Sequence, residues 1–142
     1  MTRINLVPPS ELMDQHLFAE FREIKMVPKA LARSITAYGV VGVSSRIPKV
    51  FTLNTGHVCF FYNKGAYLFQ RFNDLREELR KRGRNFNEWS ELDPNGVYES
   101  NSVFLGDYNP TQEALTIIRQ RISEKIAMKP NWYRYYGKLK EE

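Results

Sequence analysis

The chain has 142 residues, 42% of them hydrophobic and 26% charged, which suits one globular domain (residues 1–142) with a real core and leaves no room for a second full domain. Twenty-one Lys and Arg against sixteen Asp and Glu give a net charge of +5, which favours a polyanionic partner without naming it. The single cysteine, Cys59, lies in the apolar run Val58-Cys59-Phe60-Phe61, so an internal disulfide is excluded and a reducing, intracellular and cytoplasmic setting is expected. Two histidines far apart in sequence give no metal-ligand spacing, so neither a metal nor another cofactor is expected, and no stretch approaches a membrane span or a leader.

The apolar pattern is mostly helical. Ser10 can cap a helix over residues 10–25, in which Met13, Leu17, Phe21 and Ile24 form a stripe that should face the core. Pro28 suits a second helix start and Gly39 its stop, with Leu31, Ile35 and Tyr38 between them. A clearer helix spans residues 66–82, carrying Leu68, Phe72, Leu75 and Leu79 and closed by Gly83. The fourth starts at Asn109-Pro110 with Gln112 placed for a capping box, and Leu115, Ile118, Ile122 and Ile126 bury one side. Two long connections, residues 40–56 and 84–108, separate them; residues 50–53 suit a short strand or an extended link, and Trp89, Tyr98 and Phe104 should pack back on the helices. The expectation is an all-α single compact domain of three or four main helices with long connections.

Three constellations carry chemistry. On the first helix Ala19 is three or four residues from Gln15, His16, Arg22 and Glu23, so one small residue is ringed by polar side chains on a single face, like a cleft wall; a solvated polar face is the plainer alternative. At the N-terminus, Thr2 is small enough that processing would remove Met1 and leave its α-amino group beside Arg3. Such an amine titrates near about 7.7–8.0, lower still beside cations, and in its neutral form it can attack a sugar carbon to give a Schiff base. On the last helix Arg121, Lys125 and Lys129 recur every four residues and lead into Pro130-Asn131-Trp132-Tyr133-Arg134-Tyr135-Tyr136-Gly137-Lys138. Aromatic faces stack on bases and cations neutralise phosphates, which suits a nucleic-acid contact; a tail packed on the core is the other reading. The cluster Arg76, Arg80, Lys81, Arg82 and Arg84 is interleaved with glutamates and reads as a salt-bridged exterior.

Taken together, the opening Met1-Thr2-Arg3-Ile4-Asn5-Leu6, the segments Asp14-Gln15-His16-Leu17 and Glu20-Phe21-Arg22-Glu23, Gly56-His57-Val58 with Phe60-Phe61-Tyr62, and Glu124-Lys125-Ile126-Ala127 with residues 130–138 resemble the pyrimidine-dimer DNA glycosylase family. The resemblance implies a compact helical monomer acting on double-stranded DNA with damaged pyrimidines, as a glycosylase and then an abasic-site lyase. By position it implies Thr2 as the nucleophile and Glu23 as the carboxylate that stabilises the cationic sugar and assists proton removal from C2′. Arg3 and Arg22 match phosphate-holding positions, Gln15 and His16 match positions lining the same site, and Arg121, Lys125 and the aromatic tail with Trp132, Tyr133, Arg134 and Lys138 match DNA-contacting ones. The family commonly continues Leu-Pro-Arg after Arg-Glu, whereas this chain reads Ile24-Lys25-Met26. Lys25 is the neighbouring cation but cannot reproduce a bidentate guanidinium contact, which leaves open another cyclobutane isomer or another damaged base as the target. A non-catalytic DNA-binding protein would need neither a free amine nor a carboxylate beside it.

Overall fold

Met13, Leu17, Phe21 and Ile24 are all buried, and the helix that carries this stripe, α1 (Asp14–Glu23), packs against α4 (Gly65–Lys81). The computed structural model describes residues 4–139, so Thr2 and Arg3 lie outside the described residues. Leu68, Phe72, Leu75 and Leu79 of α4 meet the stripe, and the Phe21 and Phe72 rings stack 4.8 Å apart at 8°. Ser10 does not cap α1: Pro9–Glu11 forms a 3-10 turn, and Met13, in an extended conformation, occupies the cap position.

Between them runs α2 (Met26–Ser44), with Pro28 in its first turn, where no N–H is needed. Gly39 breaks it where the sequence places a stop, and a second helical stretch follows that the sequence left as connection. At φ 72° and ψ 169° the glycine kinks the helix, a conformation that costs a residue without Cβ little, and helical turns resume to Ser44. Residues 50–53 form no strand; they are an irregular link, bent at 50 and 53, that buries Phe51 before the single turn α3 (His57–Phe60).

The second long connection contains α5 (Val97–Ser100), whose first amides are held by Asp93 at 3.0 and 2.9 Å, and a 3-10 turn at Ser102–Phe104. Tyr98 and Phe104 are fully buried as expected, but Trp89 is 89% exposed and packs on nothing apolar enough to cover it. Gly106 brings this connection back onto the start of α4: a Cβ there would lie 2.4 Å from the Asn63 carbonyl oxygen.

The last helix, α6 (Gln112–Met128), begins two residues later than the Asn-Pro signal suggests, because the Thr111 hydroxyl accepts the Ala114 N–H at 3.1 Å and fixes the start there. Ala114 and Ile118 are buried, and Leu115 and Ile122 are half-buried against the core. After it β1 (Arg134–Tyr135) pairs antiparallel with β2 (Lys138–Leu139), Arg134 opposite Leu139 and Tyr135 opposite Lys138. The turn residues Tyr136 (φ 53°) and Gly137 (φ 79°) both take positive φ, as a two-residue type I′ hairpin requires. The fold is all-α with four main helices, and no described helix is long and apolar enough to cross a membrane.

Candidate active site

Glu20 stands on the apolar stripe of α1, 1% exposed, and organises everything beside it. Its carboxylate accepts from Arg71 Nε at 2.7 Å and Arg71 Nη2 at 2.9 Å, and also from the Asn5 backbone N–H at 3.2 Å and Asn5 Nδ2 at 2.9 Å. Arg71 in turn donates to the Val7 carbonyl. The N-terminal segment is thus sewn to α1 and α4 through one buried ion pair. A further thread runs to α3, where Ile4 N–H donates to His57 Nε2 at 2.9 Å. Between these anchors Leu6 takes φ 59°, and Val7 N–H donates to the Asn5 carbonyl across it, a three-residue turn that no β-strand or helix would tolerate.

Asn5 therefore lines a cavity of about 310 Å³ together with His16, Ala19, Glu20 and Glu23 of α1, Arg121, Ile122 and Lys125 of α6, and Tyr133. The half-buried carboxylate of Glu23 shares this space with the two α6 cations, a setting that holds developing charge of either sign. The His16 ring lies against Tyr133, centroids 4.6 Å apart and planes tilted by 35°. Burial pulls the His16 imidazole below its ordinary pKa and the nearby Lys125 ammonium pulls it further, against Glu20, so the ring is neutral near pH 7. Its Nδ1 is buried without a hydrogen-bond partner among the described residues.

A second concavity, about 460 Å³, lies on the other side of Ala19 and is lined by Asp14, Gln15, Phe18, Arg22, Arg84, Trp132 and Arg134. Ala19 belongs to both, so the small residue flanked by polar ones is a low wall between two clefts. Arg22 lies on the second side, its guanidinium 5.6 Å from the Phe18 ring centre, and not in the cavity of Glu23.

The tail is both packed and presented. Gln15 spends its amide on it, donating to the Trp132 carbonyl at 2.8 Å and accepting Arg134 N–H at 3.0 Å, as a strand neighbour would. Asp14 accepts the N–H groups of Tyr136 and Gly137 at 3.1 and 2.7 Å and the Arg82 guanidinium at 3.0 Å, while Arg82 lies under the Tyr135 and Tyr136 rings and pairs with Glu78. Tyr133 is 9% exposed, whereas Trp132 is 48% exposed with the Lys129 ammonium 4.4 Å from its ring centre. Arg134 and Lys138 are exposed on the hairpin.

Of the residues singled out in the sequence, the fold brings His16, Glu23, Arg121, Lys125 and Tyr133 into one cavity, and Gln15, Arg22, Trp132 and Arg134 into the other. Lys25 is outside both and donates to Ser90 Oγ at 2.8 Å. Arg80 fits the salt-bridged exterior through Glu77 and Glu88, but Arg82, with a side chain 0% exposed, is an interior node beneath the tail. Asn5, Asp14, Glu20 and His57 stand in the segments that carry the resemblance but drew no role from the sequence, and Arg71 was not singled out at all; Glu20 and Arg71 each interrupt an apolar stripe, which is the signal of a buried pair. The family model described as pyrimidine dimer DNA glycosylase matches residues 1–92, from the N-terminal segment through α4, and stops short of α6 and the hairpin.

Proposed function

From membership of the pyrimidine dimer DNA glycosylase family, which makes damaged DNA the substrate and cleavage of the bond between sugar and damaged base the activity, we propose that this chain works through a Schiff base on the α-amino group of Thr2. The observation that carries the reading is that Asn5, three residues downstream of Thr2, lines the same cavity as Glu23, Arg121 and Lys125. Thr2 is two residues upstream of the anchored Ile4, and two residues of chain span at most about 7 Å.

With Met1 removed, the Thr2 amine has an ordinary pKa near about 7.7–8.0, and the cations Arg3, Arg121 and Lys125 favour its neutral form. Its lone pair attacks C1′ of the damaged nucleotide, and the C1′–N1 bond breaks with its electrons leaving on the base, which takes up a proton. The amine loses a proton, its lone pair then forms the C1′=N bond of an iminium as the C1′–O4′ bond breaks with its electrons leaving on O4′, and O4′ takes up a proton as the sugar ring opens. Glu23 as carboxylate stabilises this cation, then accepts a proton from C2′. The electrons of that C–H bond form a C2′–C3′ double bond as the C3′–O bond breaks and the 3′ phosphate departs. Arg121 and Lys125 hold the flanking phosphates, Arg3 and Arg22 the lesion side, and Gln15 and His16 shape the walls. Trp132, Arg134 and Lys138 meet the distorted duplex, with Tyr133 behind them. A base must leave the stack for this attack, at a cost of a few kcal/mol that the weakened pairing of a dimer reduces. All the groups required belong to one chain, which fits a monomer acting inside the cell without a cofactor.

The test is borohydride trapping on ultraviolet-irradiated and abasic duplexes, followed by peptide mapping. The adduct should map to the N-terminal peptide and vanish when residues are added before Thr2, while duplex affinity persists. Glu23→Gln should lower both base release and strand cleavage by at least about 10²-fold with binding retained. An adduct on a lysine, or single-turnover cleavage by Glu23→Gln at the wild-type rate, would remove the mechanism. Met26, 49% exposed where the family commonly carries arginine, favours as a second reading the same chemistry on another damaged base.

A further inference from the structure

We propose that His57 is a positioning residue for this reaction: by accepting the Ile4 N–H it fixes the peptide from which the segment bearing the Thr2 amine departs, and so sets how that amine meets its substrate. The inference rests on Thr2 as the nucleophile.

His57 Nδ1 lies 2.8 Å from the Thr52 carbonyl oxygen, and Nε2 lies 2.9 Å from the Ile4 nitrogen. A carbonyl only accepts and a backbone N–H only donates, so Nδ1 carries the hydrogen and Nε2 is the bare acceptor. One tautomer of the neutral ring satisfies both. The ring cannot swing away, because Phe51 and Phe61 meet it edge-on, each 5.4 Å away between centroids, and the residue is 2% exposed. Its mounting is equally fixed: Gly56 at φ 99° starts α3 directly before it.

What distinguishes this from an ordinary core histidine is its partner. Ile4 N–H and Asn5 N–H are consecutive donors, and they are held by different elements, His57 of α3 and Glu20 of α1. Two anchors on successive peptide units fix the orientation of the segment as well as its place. The buried Ile4 side chain, 0% exposed, holds the place of residue 4, but without the His57 acceptor nothing on this side fixes the tilt of its peptide plane. Since the nucleophile is only two residues further on, rotation there moves the amine relative to Glu23, and a displacement of about 1 Å at a reacting atom is worth about 10²-fold in rate.

The discriminating variants are His57→Phe, which keeps the ring volume among Phe51 and Phe61 but has no acceptor, and His57→Gln, whose amide can accept from Ile4 and donate to Thr52. Each full chain is examined for melting temperature, for affinity toward a duplex carrying a tetrahydrofuran abasic analogue, and for the single-turnover rate of borohydride trapping on an abasic duplex with the adduct mapped. His57→Phe should bind the analogue within about twofold of wild type yet trap at the N-terminal peptide about 10- to 100-fold more slowly, with His57→Gln recovering most of the loss. A chain made by ligation with an ester in place of the Arg3–Ile4 amide removes the donor and leaves His57 intact. It should show the same slowing, and it decides the matter where His57→Phe does not fold. Wild-type trapping rates in His57→Phe or in the ester chain would overturn the positioning role, as would equal slowing in His57→Phe and His57→Gln. A wild-type adduct on a lysine would instead overturn the Thr2 reading.

Discussion

Replacing Glu20 with glutamine keeps its volume but removes the charge that faces Arg71 in a pair whose side chains are 5% and 0% exposed. The guanidinium keeps the Val7 carbonyl and one amide oxygen but has lost its counter-charge and one of three acceptors, and an uncompensated buried charge of this kind costs about 3 to 5 kcal/mol. For a chain of this size each kcal/mol lowers the melting temperature by a few degrees, so Glu20→Gln should melt about 10 to 15 °C below wild type. Far-ultraviolet circular dichroism on heating reads the effect directly. The partner variant Arg71→Met should be similarly destabilised, and the double variant less so than the sum, with a coupling of at least about 1 kcal/mol, because neither charge then remains unpaired. Additive single effects, or a Glu20→Gln chain within about 1 kcal/mol of wild type, would refute the idea that this pair anchors the N-terminal segment from inside a dry core.

The folded pKa of His16 lies below its ordinary value, so the unfolded chain binds more protons in the interval between them. The contribution of His16 to stability is therefore full above about pH 6.5 and is lost as pH falls through the folded value. Lys125→Met removes one of the two depressing causes, so nuclear magnetic resonance should record the His16 titration moving upward; an unchanged titration would place Lys125 out of reach. Gln15→Ala deletes two hydrogen bonds to the tail backbone, worth about 1 to 3 kcal/mol together, and should release protection of the Arg134 amide from hydrogen exchange. If that amide stays protected, the hairpin is held without Gln15. Trp132→Ala, at a residue 48% exposed, should leave melting almost unchanged and cost about 1 to 3 kcal/mol of affinity for a lesion duplex. A large fall in melting temperature with normal affinity would make Trp132 a core anchor.

Periodicity located the four long helices because burial repeats every three or four residues, and Leu17, Phe21, Leu68 and Leu75 sit where that rule puts them. It missed the helical turns that follow the break at Gly39 and the loss of Ser10 as a cap, both for local reasons. A glycine ends a helix or kinks it depending on what the following residues bury, and Val43 is buried. Ser10 was pre-empted by a 3-10 turn whose prolines already fix the backbone. The ring of polar residues about Ala19 was legible from spacing, but not its division into two clefts, which depends on where α6 and the tail come to rest. Partners 15 to 53 residues apart, such as Asn5 with Glu20 and Ile4 with His57, leave no periodic trace, since only the tertiary fold makes them neighbours. A glutamate at the apolar spacing of Leu17 and Phe21, and an arginine at that of Leu68 and Phe72, were the visible hint that two charges had to find each other.

The hairpin that lines the second cleft is fastened to α1 by bonds spanning 117 to 123 residues, among the longest sequence separations in the molecule. Helices close local loops early, whereas a contact of this span waits for the entropy of a nearly chain-length loop to be met by an already formed partner. The rim should then be the last part to order and the first to open. Substitutions at Gln15 or in the turn would carry low φ-values, speeding unfolding while leaving the folding rate nearly unchanged. A partially opened state with α1, α2 and α4 intact and the aromatic rim released is consequently expected, and hydrogen exchange should detect it before any global unfolding.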